Sequence, residues 1–167
     1  MHKVSSTCVA NIDLASAWQK LSDLGQAHMY VPDLTGTEIT TNAKTGIGAS
    51  RRVYSQRPPL IETVVEWNEG SGFTLKLHND YGDGVPPMFS MASFVYEISA
   101  ESTTTTRLSN TMEFEMKWGA IGNLLAKLIA KPMQQMQEQI VYGQKLYYET
   151  GQKAQKGQVL ALIKEEK

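Results

Sequence analysis

The segment from Trp118 to Glu149 is the longest apolar-striped run in the chain, and Pro132 sits near its middle. Ile121, Leu124, Leu125, Leu128, Ile129, Met133, Met136 and Ile140 recur at helical spacing. Asn123, Lys127, Lys131, Gln134 and Glu138 fall opposite them, so the spacing predicts one long amphipathic helix. Proline lacks the N–H for the helical ladder, and its ring clashes with the carbonyl four residues back. In an exposed helix interior that costs about 3 kcal/mol. A bent helix offsets this cost when it must follow a curved surface, and a bend is expected between Leu128 and Pro132.

The rest of the chain supplies that surface. Lys3 to Ile12 alternates as a strand does, with Val4, Ser6, Cys8, Ala10 and Ile12 on one face. Asp13 stands at an N-cap position before Ala15, Ala17, Trp18, Leu21 and Leu24, a short helix ending around Gly25. A second short helix or turn precedes Pro32. From Leu34 to Met116 strand and turn alternate, with turns at "QRPP", "NEGSG" and "AESTT". The short connections predict about seven strands, mostly antiparallel, in an α+β domain. Gly46/Gly48 and Gly82/Gly84 are candidate bend sites. The domain is expected to occupy residues 1–151, followed by a tail or short extra helix over 152–167.

Strand parity predicts what faces the helix. Leu108, Asn110, Met112, Phe114 and Met116 share one face of the last strand. Ser90, Ala92, Phe94, Tyr96 and Ile98 are the inward set of the strand before it, and Phe73, Leu75 and Leu77 of the one before that. Small and polar members (Ser90, Ala92, Asn110) interrupt large apolar ones, and Met133 and Met136 add adaptable bulk. Such a lining fits a ligand cavity, and it fits a filled core with satisfied polar groups equally well.

Charge and cysteine content narrow the function. A formal net charge of -1 with pI near 6.3 gives no footprint for nucleic acid or for an acidic membrane surface. Cys8 stands alone, which excludes a disulfide framework and a thiolate zinc cluster, and its strand position fits a buried small hydrophobe. No segment approaches the ~20 apolar residues of a membrane span, and with no export signal a cytoplasmic protein is expected. His28 and His78 lack partners at ligand spacing, so no metal site and no cofactor is assigned. Asp80 and Asp83 stand among glycines without the bidentate glutamate of a calcium loop.

The stretch "SSTCVANIDLASAWQKLSDLGQAHMYVPDL" resembles the opening of the START-like superfamily, the Bet v 1-like or SRPBCC proteins. "GIGASRRV" is similar to the Gly-x-Gly-Ala-x-Arg segment of its polyketide cyclase/dehydrase-like branch, and "IETVVEW" to the strand after that segment. "NLLAKLIAKPMQQMQEQIVYGQKLYYETG" resembles the terminal helix, although Gly143-Gln144-Lys145 replaces the commoner Gly-Leu-Lys order. The resemblance covers about residues 3–151. It implies the helix-grip fold, a curved sheet of six to seven strands wrapped around a long kinked terminal helix. It also implies a cavity between the two.

The residues and the resemblance together support three readings. The first is binding of a small hydrophobic molecule or lipid in that cavity, with Tyr30, Arg51, Leu75, Leu77, Phe94, Tyr96, Asn110, Met112, Phe114, Leu125, Met133 and Met136 lining it. The second is a cyclase/dehydratase-like enzyme in which Tyr96, Asn110 or Arg51 orients a carbonyl. The third is a protein-interaction module using the tail or a sheet edge. Arg51 is expected to pair with Glu62 in preference to a ligand head. Glu62 and Glu66 share parity and are placed on one outward or rim face. Oligomeric state is left open.

Overall fold

A computed structural model describes residues 1–79, 85 and 87–167. The glycine pair Gly82/Gly84 and the acidic pair Asp80/Asp83 lie outside the described residues. The order is β1 (His2–Ala10), α1 (Leu14–Leu21), a 3-10 turn (Leu24–Gln26), α2 (Ala27–Tyr30), β2 (Gly36–Ile39), β3 (Ser50–Tyr54) and β4 (Leu60–Asn68). Then come β5 (Gly72–Asn79), β6 (Phe89–Ala100), β7 (Thr106–Met116), α3 (Gly119–Thr150) and α4 (Lys156–Glu165). The strands form one antiparallel sheet in the order β1-β7-β6-β5-β4-β3-β2, and α3 lies across it as the helix-grip fold requires. The Asp13 carboxylate accepts from the Ser16 N–H at 2.9 Å and caps α1 as the sequence predicts.

Helix α3 runs alongside β1. Gln134 Nε2 donates to the Ser5 carbonyl at 2.6 Å, Cys8 Sγ to the Val141 carbonyl at 3.3 Å, and Lys145 Nζ to the Val9 carbonyl at 2.7 Å. Gly143 lets the helix approach α2, since a Cβ there would sit 2.0 Å from the Tyr30 carbonyl oxygen. The helix continues unbroken through Pro132. Both Pro132 and Leu128, whose carbonyl loses its partner, are exposed, so that oxygen is open to solvent. The proline therefore lies on the outer side of the helix.

Helix α4 packs Val159 and Ile163, with Ala154, against Tyr142 and Leu146 of α3. Lys153 reaches the Leu34 carbonyl, and Lys156 pairs with Asp33 at 2.8 Å, fastening the tail to the segment after α2. Val159 and Ile163 of the tail are thus buried inside this chain, while Leu160 stays exposed.

Two β-bulges change the expected parity. In β6, Phe89 faces Met116 and Met91 faces Glu115, so one extra residue turns Ser90 outward, where it is exposed. In β4, Val65 is the extra residue between Val64 and Glu66. Glu62 consequently points inward and is buried, while Glu66 points outward and accepts from Thr74 Oγ1 at 2.7 Å. The two carboxylates do not share a face. On α3 the apolar residues split into two stripes. Ile129, Met133 and Met136 pack on the core and Ile140 is buried, whereas Ile121, Leu124 and Leu128 are exposed.

Candidate functional site

The interior between sheet and helix is built on a buried ion pair. Arg51 on β3 faces Glu62 on β4, and its Nε donates to Glu62 Oε2 at 2.6 Å. Arg51 is 1% exposed and Glu62 5%. The guanidinium also donates to the Leu24 carbonyl at 3.1 Å and to the Tyr30 hydroxyl at 3.3 Å, and its charge acts on the Tyr96 hydroxyl. Burial draws the Arg51 pKa down, but the Glu62 carboxylate together with the Tyr30 and Tyr96 phenols more than offsets this and leaves it above its ordinary value. Arg51 is therefore a buried hub, paired with Glu62 as expected and set beside the phenols of Tyr30 and Tyr96.

Those phenols sit in an aromatic group. Tyr30 lies 6.1 Å from Tyr96 and 6.4 Å from Tyr148, and Tyr96 lies 5.3 Å from Phe73, centroid to centroid. Tyr30, expected among the cavity-lining residues, is fully buried here. Burial pushes the Tyr96 and Tyr148 phenols well above 10.0, and Cys8 up to about 12. Tyr96 thus keeps its proton and stays a donor.

These shifts have a consequence for alkaline stability. Below about pH 9 both folded and unfolded chains hold the Cys8 and tyrosine protons, and the stabilisation is fully present. As pH rises, the unfolded chain releases protons that the folded chain retains, so stability falls. The thermal midpoint is expected to be level up to about pH 9 and to drop steadily above it, with Tyr96 and Tyr148 ionising only on unfolding. Tyrosinate forming at Tyr96 or Tyr148 in the folded protein near pH 10, read from the absorbance lost in Tyr→Phe variants, would contradict the burial argument.

The second part of the interior is a set of amides. Asn110 on β7 is fully buried opposite Tyr96, and its Nδ2 makes one long contact of 3.5 Å to the Val95 carbonyl. Gln137 and Gln144 on α3 are buried at 0% and 1% exposure. Gln144 Nε2 donates to the Tyr148 hydroxyl at 3.2 Å. Four buried amide atoms have no partner among the described residues: Asn110 Oδ1, Gln137 Oε1, Gln137 Nε2 and Gln144 Oε1. The contacts of Gln134 with Ser5 and of Val141 with Cys8 place Gln137 at the level of Ser6 and Thr7. Ser6 pairs with Asn110 on β7, so Gln137 and Asn110 occupy one level of the interior. Gln144 lies two turns further along, beside Tyr148 and near Tyr30.

Around this polar band the wall is apolar. Leu75, Leu77, Phe94, Met112 and Phe114 are buried on the inner face, and Met133 and Met136 pack on them half-buried. Leu125 is half-buried nearer the start of α3. Sequence reasoning does not single out Gln137. It marks Gln144 only as a departure from the family pattern, although both residues flank Ile140 at helical spacing. The described structure also has a depression of about 390 Å³ on the outer face, over Gly72, between Glu66, Thr74 and Arg107. It lies on the far side of the sheet from these amides. No cluster of three or more metal-ligating side chains occurs among the described residues.

Comparison with known proteins agrees with this architecture. No curated protein matches the chain. Ara h 8.0201 superposes with a TM-score of 0.62 at 12% identity, covering 88% of this chain and 97% of its own. A START superfamily protein from Mycobacterium smegmatis superposes with a TM-score of 0.61 at 17% identity, over 84% and 95%. The di-domain ARO/CYC BexL of the BE-7585A biosynthetic pathway gives 0.67 at 7% identity, over 88% of this chain and 47% of BexL. At these identities the likeness is one of fold. The family described as polyketide cyclase / dehydrase and lipid transport matches residues 1–143, and the chain belongs to that family.

Proposed function

We propose that the chain binds a small amphipathic molecule between the sheet and α3. The ligand presents an apolar body to the Leu75, Phe94, Met112 and Met133 wall and hydrogen-bonding groups to Asn110, Gln137 and Gln144. One observation carries this reading: the four buried amide atoms without partners. A buried polar group left unpaired costs about 1–3 kcal/mol, so four in one interior are costly unless something completes them. Ordered water completes such atoms as well as a ligand does, and the two readings are separable by binding.

Anilinonaphthalene sulfonate (ANS), which brightens on entering apolar sites, serves as reporter in a competition titration. Testosterone, with a carbonyl and a hydroxyl, is expected to displace it at least tenfold better than androstane, its bare hydrocarbon parent. Equal displacement by the two, or ANS that is neither bound nor displaced, contradicts the proposal.

A second reading, chemistry on a carbonyl-bearing ligand, draws on the Tyr96 hydroxyl, which stays protonated beside Arg51 and opposite Asn110. A donor so placed can polarise a carbonyl oxygen. Under this reading Tyr96→Phe abolishes turnover of a poly-β-ketone substrate while steroid displacement of ANS persists.

A further inference from the structure

The first half of α3 carries an apolar stripe that the sheet does not cover. Ile121, Leu124 and Leu128 are 67%, 61% and 69% exposed. At about 100° per residue they form one line, roughly a third of a turn away from Gly122, Ile129 and Met133, which face the sheet. Trp118, just before the helix, is 61% exposed and holds a φ of 71°, in the left-handed region that residues other than glycine occupy at a cost. Met88, whose carbonyl accepts from the Lys117 N–H at 3.1 Å, is 41% exposed and extends the patch at the same end.

The charges beside this stripe have one sign. From Lys117 to Gln137 the chain contains three lysines, Lys117, Lys127 and Lys131, and no aspartate or glutamate. All three are exposed, and none is in an ion pair among the described residues. On the strand leading into the patch, Glu115 is 3.9 Å from the N-terminal ammonium. An indole at one end, an aliphatic line and a lysine border make up the pattern of a helix lying in a membrane interface. There the apolar side enters the acyl boundary and the lysines meet anionic headgroups. No helix among the described residues is long and apolar enough to cross a membrane, so the contact is with the surface only.

We propose that this face, Met88, Trp118, Ile121, Leu124 and Leu128 with Lys117, Lys127 and Lys131, docks the protein on an anionic lipid bilayer. A second copy is a poorer occupant. Pairing the face with itself brings the lysines of both copies together without counter-charge, and like charges in a closed contact repel. The proposal does not depend on which molecule the interior holds.

Vesicle co-sedimentation tests it, using phosphatidylcholine alone and phosphatidylcholine with phosphatidylglycerol. Binding is expected only to the anionic vesicles, weakening as salt is raised. Leu124→Asp/Leu128→Asp is expected to lose at least tenfold in binding. Lys127→Gln/Lys131→Gln is expected to lose about fivefold per lysine. All four positions are exposed, so thermal midpoints should stay near wild type.

A fluorophore on Leu128→Cys gives an independent readout, because Cys8 is buried with its thiol pKa raised and resists labelling. Its emission should shift to the blue on anionic vesicles, while a label on Leu160→Cys, exposed on α4, should not respond. Equal binding by all variants, no binding to anionic vesicles, or a response at both labels overturns the proposal. So does a dimer that Leu124→Asp/Leu128→Asp dissociates, or an acidic protein partner captured in place of lipid.

Discussion

Glu62→Leu is expected to lower the unfolding free energy by about 3–5 kcal/mol, because it leaves the Arg51 guanidinium buried without a counter-charge. For a domain of 167 residues this corresponds to a fall of roughly 6–20 °C in thermal midpoint. The damage does not stop at the ion pair. Arg51 holds the Tyr30 hydroxyl and the Leu24 carbonyl, so its displacement loosens both the aromatic group and the turn before α2. The double variant Arg51→Met/Glu62→Leu should recover much of the loss, since buried pairs can often be replaced by apolar side chains at small cost. Recovery should be incomplete, because those two acceptors lose their donor. Calorimetry of wild type, single and double variants checks this. A double variant less stable than Glu62→Leu would show that Arg51's bonds to Leu24 and Tyr30, and not the orphaned charge, dominate.

Gln137→Met is expected to act in opposite directions on stability and on binding. Methionine has nearly the shape of glutamine, and both amide atoms of Gln137 lack partners. In the ligand-free protein the substitution removes two unpaired polar groups, raising the unfolding free energy by about 1–3 kcal/mol. If those atoms serve a ligand, displacement of ANS by testosterone should weaken by about tenfold or more in the same variant. A residue kept only for packing would not show this combination. Gln144→Met is a less clean probe, since it also deprives the Tyr148 hydroxyl of its partner.

Much of this structure can be read from residue order. Alternation locates β1, β6 and β7, Asp13 marks the start of α1, and parity places Phe94, Tyr96, Asn110, Met112 and Phe114 on the inner face. The Arg51–Glu62 pair is legible from adjacent strands and opposite charge. The departures have local causes. One extra residue at Val65 and another beside Ser90 each reverse the face of the adjoining stretch of strand, and no composition cue marks a bulge of this kind.

Helix α3 shows a different limit. Its apolar positions cover so much of the circumference in the first half that periodicity cannot tell the stripe facing the sheet from the stripe facing outward. Periodicity therefore assigns Ile121, Leu124 and Leu128 to the core, and the structure exposes them. Gln137 is hidden by the reverse effect, a polar residue on the buried stripe of a helix rich in glutamine. Gln144 does leave a trace, because it stands where the commoner family segment has leucine. A buried amide there costs stability unless it has a partner. That departure thus falls on one of the four unpaired atoms of the interior.

A crystal structure of the protein grown with testosterone tests the central claim most directly. The account predicts density for the steroid between the sheet and α3, with its oxygen atoms within hydrogen-bonding distance of Gln137 and Asn110. Ordered waters on those amides, with the steroid absent from the interior or seated in the outer depression over Gly72, would contradict it.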